Sequence, residues 1–173
     1  MEYGYTGPAQ LIYTAYKLTC HQLAFRTYFF FGEQPVYTLE QLRATVLFDE
    51  NDIFFWNNFL GNAQLGYKMA WCERDTAIYA SLFLGGLFFG SVRSRVRPLD
   101  WRIYLALITP MALDGFTQLF GWRESDYLLR GITGALFGLG SVWLIYPYLE
   151  EAMRDVLAQT RAQLQRAKGK TIP

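Results

Sequence analysis

The sequence predicts an all-α, polytopic helical membrane protein with three to four membrane helices, an extracytoplasmic insertion and a cytoplasmic C-terminal helix. Three observations point there. Hydrophobic residues fill 52% and aromatic residues 18% of the 173 positions, yet mean hydropathy is only +0.07, so the apolar residues are gathered into blocks. Three of those blocks are almost free of charge and long enough to cross a bilayer. Arginines crowd one connecting loop, while acids gather on the opposite side. The net charge of +1 offers nothing to a polyanion, so no nucleic-acid partner is expected.

Taken in order, residues 1–8 carry no basic run, and no cleavable signal peptide is expected there. Residues 8–31 read as a helix opening at Pro8. Gln10, Thr14, Lys17 and His21 recur at spacings of four, three and four, which gives it one polar face. It is either a fourth span or a helix lying on the outer surface. Residues 34–70 form the outer insertion. Within it "TLEQLRATVLF" reads as a short amphipathic helix, with Thr38 as cap and Gln41 three residues on. "DENDIFFWNNFLGN" couples acids to an aromatic run that suits a lipid headgroup layer or a packing element.

The spans are 76–92, 103–122 and 131–149, of 17, 20 and 19 residues, with Asp114 the one acid inside them. Between the first two lie Arg93, Arg95, Arg97 and Arg102 against Asp100 alone, so loop 93–102 is expected in the cytoplasm of a multi-pass cell-membrane protein. The third span returns the chain there, where residues 150–173 carry five Lys/Arg and three acids. Residues 33–75, with seven acids against three Lys/Arg, then face outward. The expected domains are a helical membrane domain over 1–149 and a helical tail over 150–173. Gly86 with Gly90, and Gly134 with Gly138, permit close helix approach, within one chain or in a homo-oligomer.

Cys20, His21, Cys72 and Asp75 offer two thiolates, an imidazole and a carboxylate, a set that suits zinc. Adjacent helical side chains diverge by about 100°, so one of Cys20 and His21 would ligate while the other orients it. A Cys20–Cys72 disulfide on an oxidising side uses the same two sulfurs and stays open. Asp114 inside a span needs a cavity or an arginine partner. Arg130 opens the third span at its outer end.

The segments "CHQLAFRTYFFFG", "WCERDTAIYASLFLGG" and "LDGFTQLFGWRESDYLLRGITGALFG" together resemble the membrane-protein family catalogued as domain of unknown function 2085. Members commonly show Cys-His near the start, Cys-x-x-Cys before a helix, Asp in a later helix, and Arg ahead of a Thr-Gly pair. The matching positions are Cys20, His21, Cys72, Asp114, and Arg130 before Thr133 and Gly134. Asp75 stands where the second cysteine of Cys-x-x-Cys would be. The resemblance implies a four-ligand zinc set with one thiolate exchanged for a carboxylate, and it lends no activity.

Three classes of function fit. In the first, a zinc enzyme at the outer face activates water, with Asp114 as general base or acid. Arg130 and Arg123 would hold the anionic part of an amphiphilic substrate arriving from the lipid bilayer. In the second, a structural metal or disulfide clamps a non-catalytic membrane assembly protein. In the third, an oligomeric transporter moves protons or small solutes past Asp114, Gln118 and Lys17. The single histidine leaves no Ser-His-acid set, and no phosphate loop or dinucleotide fingerprint occurs.

Overall fold

A computed structural model describes residues 6–18, 20–45, 53–93 and 95–169. Six α-helices dominate it, and the chain divides into two compact units, Met1–Ala77 with Glu124–Gly134 and Ile78–Arg123 with Ala135–Pro173.

The first unit begins with α1 (Thr6–Tyr16), whose first turn holds Pro8, a residue suited to helix starts. The helix expected over 8–31 ends early, at Tyr16. Its 11 residues span about 16 Å, half of a hydrocarbon core of about 30 Å, so α1 does not cross a bilayer. The break is local: Gln22 adopts φ 50°, which no helix accommodates, and its side-chain amide donates to the Tyr13 carbonyl at 2.8 Å. A 3-10 turn (Ala24–Arg26) follows, and then β1 (Phe29–Phe30).

Helix α2 (Leu39–Thr45) starts with the expected reciprocal cap. The Thr38 N–H donates to Gln41 Oε1 at 2.8 Å, and the Gln41 N–H donates to Thr38 Oγ1 at 3.3 Å. The end of "TLEQLRATVLF" and the start of "DENDIFFWNNFLGN" lie outside the described residues. The aromatic run forms α3 (Ile53–Asn58) and turns inward. Trp56 is buried with Leu23, Phe29, Tyr37, Leu42 and Leu65, while Phe55 and Phe59 pack against that cluster. This is the packing role; of the described rings in the run, only Phe54 is exposed.

An antiparallel sheet in the order β1-β3-β2 adds strands that the all-α expectation lacks: β2 (Gly61–Asn62) and β3 (Gly66–Lys68). Strands of two or three residues are too short to show a period of two. Asn62 Oδ1 accepts from the Gln64 and Leu65 N–H groups and closes the turn. Gly66 is required here, since it has φ 81° and a Cβ would stand 2.3 Å from the Phe30 carbonyl oxygen.

Lys68 is buried, and its ammonium donates to the carbonyls of Gln22 (2.6 Å), Asn57 (2.6 Å) and Trp56 (3.3 Å). Burial, and then the nearby Lys17 charge, push its pKa down to about 7, against Cys20, which raises it. One side chain thus ties the loop after α1 to the end of α3. Lys68→Met removes all three donors, and the expected loss is about 3 kcal/mol or more. Denaturant or thermal unfolding in detergent, compared with an exposed-lysine variant such as Lys17→Met, measures it.

The second unit carries most of α4 (Glu73–Val92), α5 (Trp101–Leu119) and the greater part of α6 (Tyr127–Gly169). Helices α4 and α6 are long and apolar enough to cross a membrane. Only 11% and 39% of their apolar windows are buried, far from the enclosure of a soluble core helix. Asp100 caps α5 by accepting from the Arg102 N–H at 2.7 Å. Gly121, at φ 68°, stops it: the Gly121 and Trp122 N–H groups bond back to Gln118 and Thr117, in a Schellman arrangement. Helix α6 runs unbroken through Pro147, so the 131–149 segment and the C-terminal tail are one helix. Gly138 lies against α4 at Ser81, and Gly140 lies against the Tyr104 ring of α5. The Tyr104 hydroxyl meets Ser141 Oγ at 3.1 Å.

Candidate metal-ligating cluster and the buried ion pairs

Cys72 occupies the cap position of α4. Its carbonyl accepts from the Thr76 N–H at 2.9 Å, and its sulfur accepts from the Asp75 N–H at 3.5 Å. That places Asp75 in the first turn, where a carboxylate meets the positive end of the helix dipole. Cys20 comes from the loop after α1. Its N–H bonds to the Tyr16 carbonyl at 2.9 Å, and the Gln22 N–H donates to its sulfur at 3.4 Å. The ligand atoms of Cys20, Cys72 and Asp75 lie within 4.8 Å of one another. Both cysteines are free thiols.

A side-chain hydrogen bond joins the two sulfurs. The hydrogen bond from Cys72 lowers the Cys20 pKa, against burial, which raises it. Donating that bond, and then burial, push the Cys72 thiol up. Of the two sulfurs, Cys20 is thus the one whose ionised form the contact favours, and Cys72 the one whose neutral form it favours. A divalent cation among the three would supply the charge that lets Cys72 ionise as well.

His21 does not join them. It is exposed and stands outside the ligand group, whereas its neighbour Cys20 is buried. The His21 carbonyl accepts from the Asn57 side chain instead. Of the four sequence-predicted ligands, three converge.

Arg130 and Asp114 each sit in an ion pair. Arg130, buried near the start of α6, donates to Glu73 Oε2 at 3.1 Å, and Glu73 is fully buried. In the other unit, the buried Asp114 accepts from Arg123 at 2.8 Å and from Gln118 Nε2 at 2.8 Å. This is the arginine partner expected for Asp114 from the sequence. Glu73 and Lys68 were not among the expected site residues. An acid beside Cys72 was a visible signal for Glu73; a single lysine in "LGYKMA" gave none for Lys68.

Helices of membrane length with little burial, carrying small-residue contacts along α4 and α6, define a mostly helical membrane protein. The chain belongs to the family described as predicted membrane protein, domain of unknown function 2085, whose model matches residues 63–144. An uncharacterised protein of Methanocaldococcus jannaschii is 32% identical over 143 residues, covering 81% of this chain and 69% of that protein. An uncharacterised protein of Methanothermobacter thermautotrophicus is 36% identical over 75 residues, covering 43% of this chain and 68% of that one. No solved structure matches the chain.

Proposed function

We propose that this is a multi-pass membrane protein that holds a zinc-class cation at its extracytoplasmic face and uses the ion's remaining coordination position on an amphiphilic ligand. The observation that carries the reading is the convergence of Cys20, Cys72 and Asp75 within 4.8 Å. Three protein ligands leave a tetrahedral ion one position for water or substrate, the pattern of catalytic rather than closed structural zinc. Zinc there would lower the pKa of its bound water. The two cysteine sulfurs and the Asp75 carboxylate fit such an ion in softness and in charge.

In this reading α5 crosses the bilayer with α4 and α6. Trp101, Ile103, Leu105, Leu113, Phe116 and Leu119 give it an exposed apolar surface. The arginines of loop 93–102 put that loop in the cytoplasm, and the Cys72 end of α4 therefore faces outward. Asp114 and Arg130 act as ion-pair members that set helix register rather than as general base and anion holder, since Arg123 and Glu73 already engage them.

Elemental analysis of the detergent-purified protein, with a free-thiol count, tests it. About one zinc per chain is expected, lost in Cys72→Ser and Asp75→Asn but retained in His21→Ala, because losing one of three ligands lowers affinity steeply. Retention in the Cys72→Ser protein would sink the reading. Absence of both metal and free thiols would replace it with a Cys20–Cys72 disulfide clamp, which the closeness of the two sulfurs also suits.

A further inference from the structure

A cavity of about 320 Å³ opens between α4 and α6, and every residue lining it is apolar. Gly85, Phe89 and Val142 are buried and form its floor, while Phe88 and Trp143 stand exposed at its rim. The cavity is therefore reached from the surface of the helix pair. A space without polar partners does not hold water. Left empty, it would deprive its lining of dispersion contacts on one side. A hydrocarbon chain fills it, and lipid is the hydrocarbon that surrounds membrane helices. Filling alone selects no particular lipid, because all lipid tails are as apolar as the wall.

Charge makes the selection. Val92 and Val96 line the end of the cavity where α4 stops; Arg93 follows Val92, and Arg95 and Arg97 bracket Val96. Trp143 ties that loop to the cavity twice. Its Nε1–H donates to the Arg97 carbonyl at 3.1 Å, and its own carbonyl accepts from the Leu99 N–H at 3.3 Å. Arg93, Arg95 and Arg97 are all exposed. Arg93 stands 3.9 Å from Glu150, longer than a charge-assisted bond, and Glu150 is itself held by Arg154 at 2.9 Å. Among the described residues, Arg95 and Arg97 have no acidic partner.

We propose that the cavity holds one hydrocarbon chain of an anionic phospholipid whose headgroup lies on Arg95 and Arg97. The chain supplies the contacts that the apolar wall lacks, and the two unneutralised guanidiniums meet a headgroup of net negative charge. Basic pockets between membrane helices recognise anionic headgroups on this principle. A zwitterionic lipid seats its chain equally well but brings a cation of its own to the arginines. The site rests on the membrane placement of α4 and α6 in the reading above, yet it needs no ion at Cys20, Cys72 or Asp75, so a zinc-free protein still binds the lipid.

Tryptophan quenching by lipids with brominated chains, on the full chain reconstituted in phosphatidylcholine vesicles, tests it. Brominated phosphatidylglycerol is expected to quench part of the emission at a far lower mole fraction than brominated phosphatidylcholine. The expected preference is about fivefold for each arginine, so about 25-fold in all. Arg95→Gln and Arg97→Gln change exposed side chains; each is expected to remove its share, and the double variant to remove the whole. Arg161→Gln makes the same change in net charge eighteen residues past Trp143, about 27 Å along α6, and keeps the preference. Trp143→Phe removes the selectively quenched part and so locates it at the cavity. Equal quenching by the two lipids overturns the proposal, as does a preference that survives in the double arginine variant or in Trp143→Phe. Quenching of Trp143 by neither lipid would mean that a second copy of the chain covers the cavity, and overturns it too.

Discussion

Arg130→Met is expected to destabilise the protein by about 3–5 kcal/mol, because it leaves the carboxylate of Glu73 buried without its cation. Glu73 is fully enclosed and Arg130 nearly so, at 0% and 4% exposure, so water cannot replace the lost partner. The double variant Glu73→Met/Arg130→Met removes both charges and keeps apolar volume, and it is expected to recover most of that loss. Unfolding in detergent by heat or denaturant, run on the two singles and the double, gives the coupling directly. A single variant as stable as the parent would show that the pair does not hold the start of α6 to the start of α4. In that case Arg130 would be free to hold the anionic part of a substrate, the role expected of it from the sequence.

Gly138→Val is the second large effect. A Cβ at Gly138 would lie 1.9 Å from Ser81 Oγ and 2.8 Å from the Ile78 carbonyl oxygen. Ser81 could rotate its hydroxyl away, at the expense of its own 2.9 Å bond to Ile78, but the backbone carbonyl cannot move without displacing α4. The helices must separate, and a penalty of about 2 kcal/mol or more is expected from overpacking. Gly90→Ala is the control, because nothing lies within 4 Å of a Cβ there. It should be neutral or slightly stabilising, by up to about 1 kcal/mol, through helix propensity. The contrast separates the two small-residue patterns. Gly134 and Gly138 contact α4 within the same chain, as a Cβ at Gly134 would meet the Arg74 carbonyl at 2.7 Å. A Gly138→Val protein with parental stability would mean that the approach of α4 to α6 is not close.

The helices were legible because their determinants are local. Uncharged runs of membrane length and the Thr38–Gln41 cap are set by residues within their own segments. The same holds for the demand of Asp114 for an arginine, met by Arg123 only nine residues on. The reading of 8–31 as one helix failed for a local reason of another kind. A periodic polar face says nothing about a residue such as Gln22, which leaves helical φ to serve contacts from elsewhere in the chain. The aromatic run of α3 was ambiguous for a similar reason. Trp and Phe suit a headgroup layer and a small core equally, and the packing of Trp56 beside Leu42 decided for the core.

The sequence by itself determined the long apolar helices α4 and α6, the Thr38–Gln41 cap, and the presence of thiols and carboxylates suited to a soft cation, since length, hydropathy and side-chain chemistry belong to each segment alone. Only the tertiary structure decided which of those groups meet. Cys20 and Cys72 are 52 positions apart, and Glu73 and Arg130 are 57 apart. Bringing such residues together depends on loop paths and on burial against Lys68 and Trp56, which no local pattern encodes. The outward turn of His21 beside the inward Cys20 is the smallest case of the same rule. Neighbours in sequence share a composition, but the packing around them buries one and leaves the other exposed.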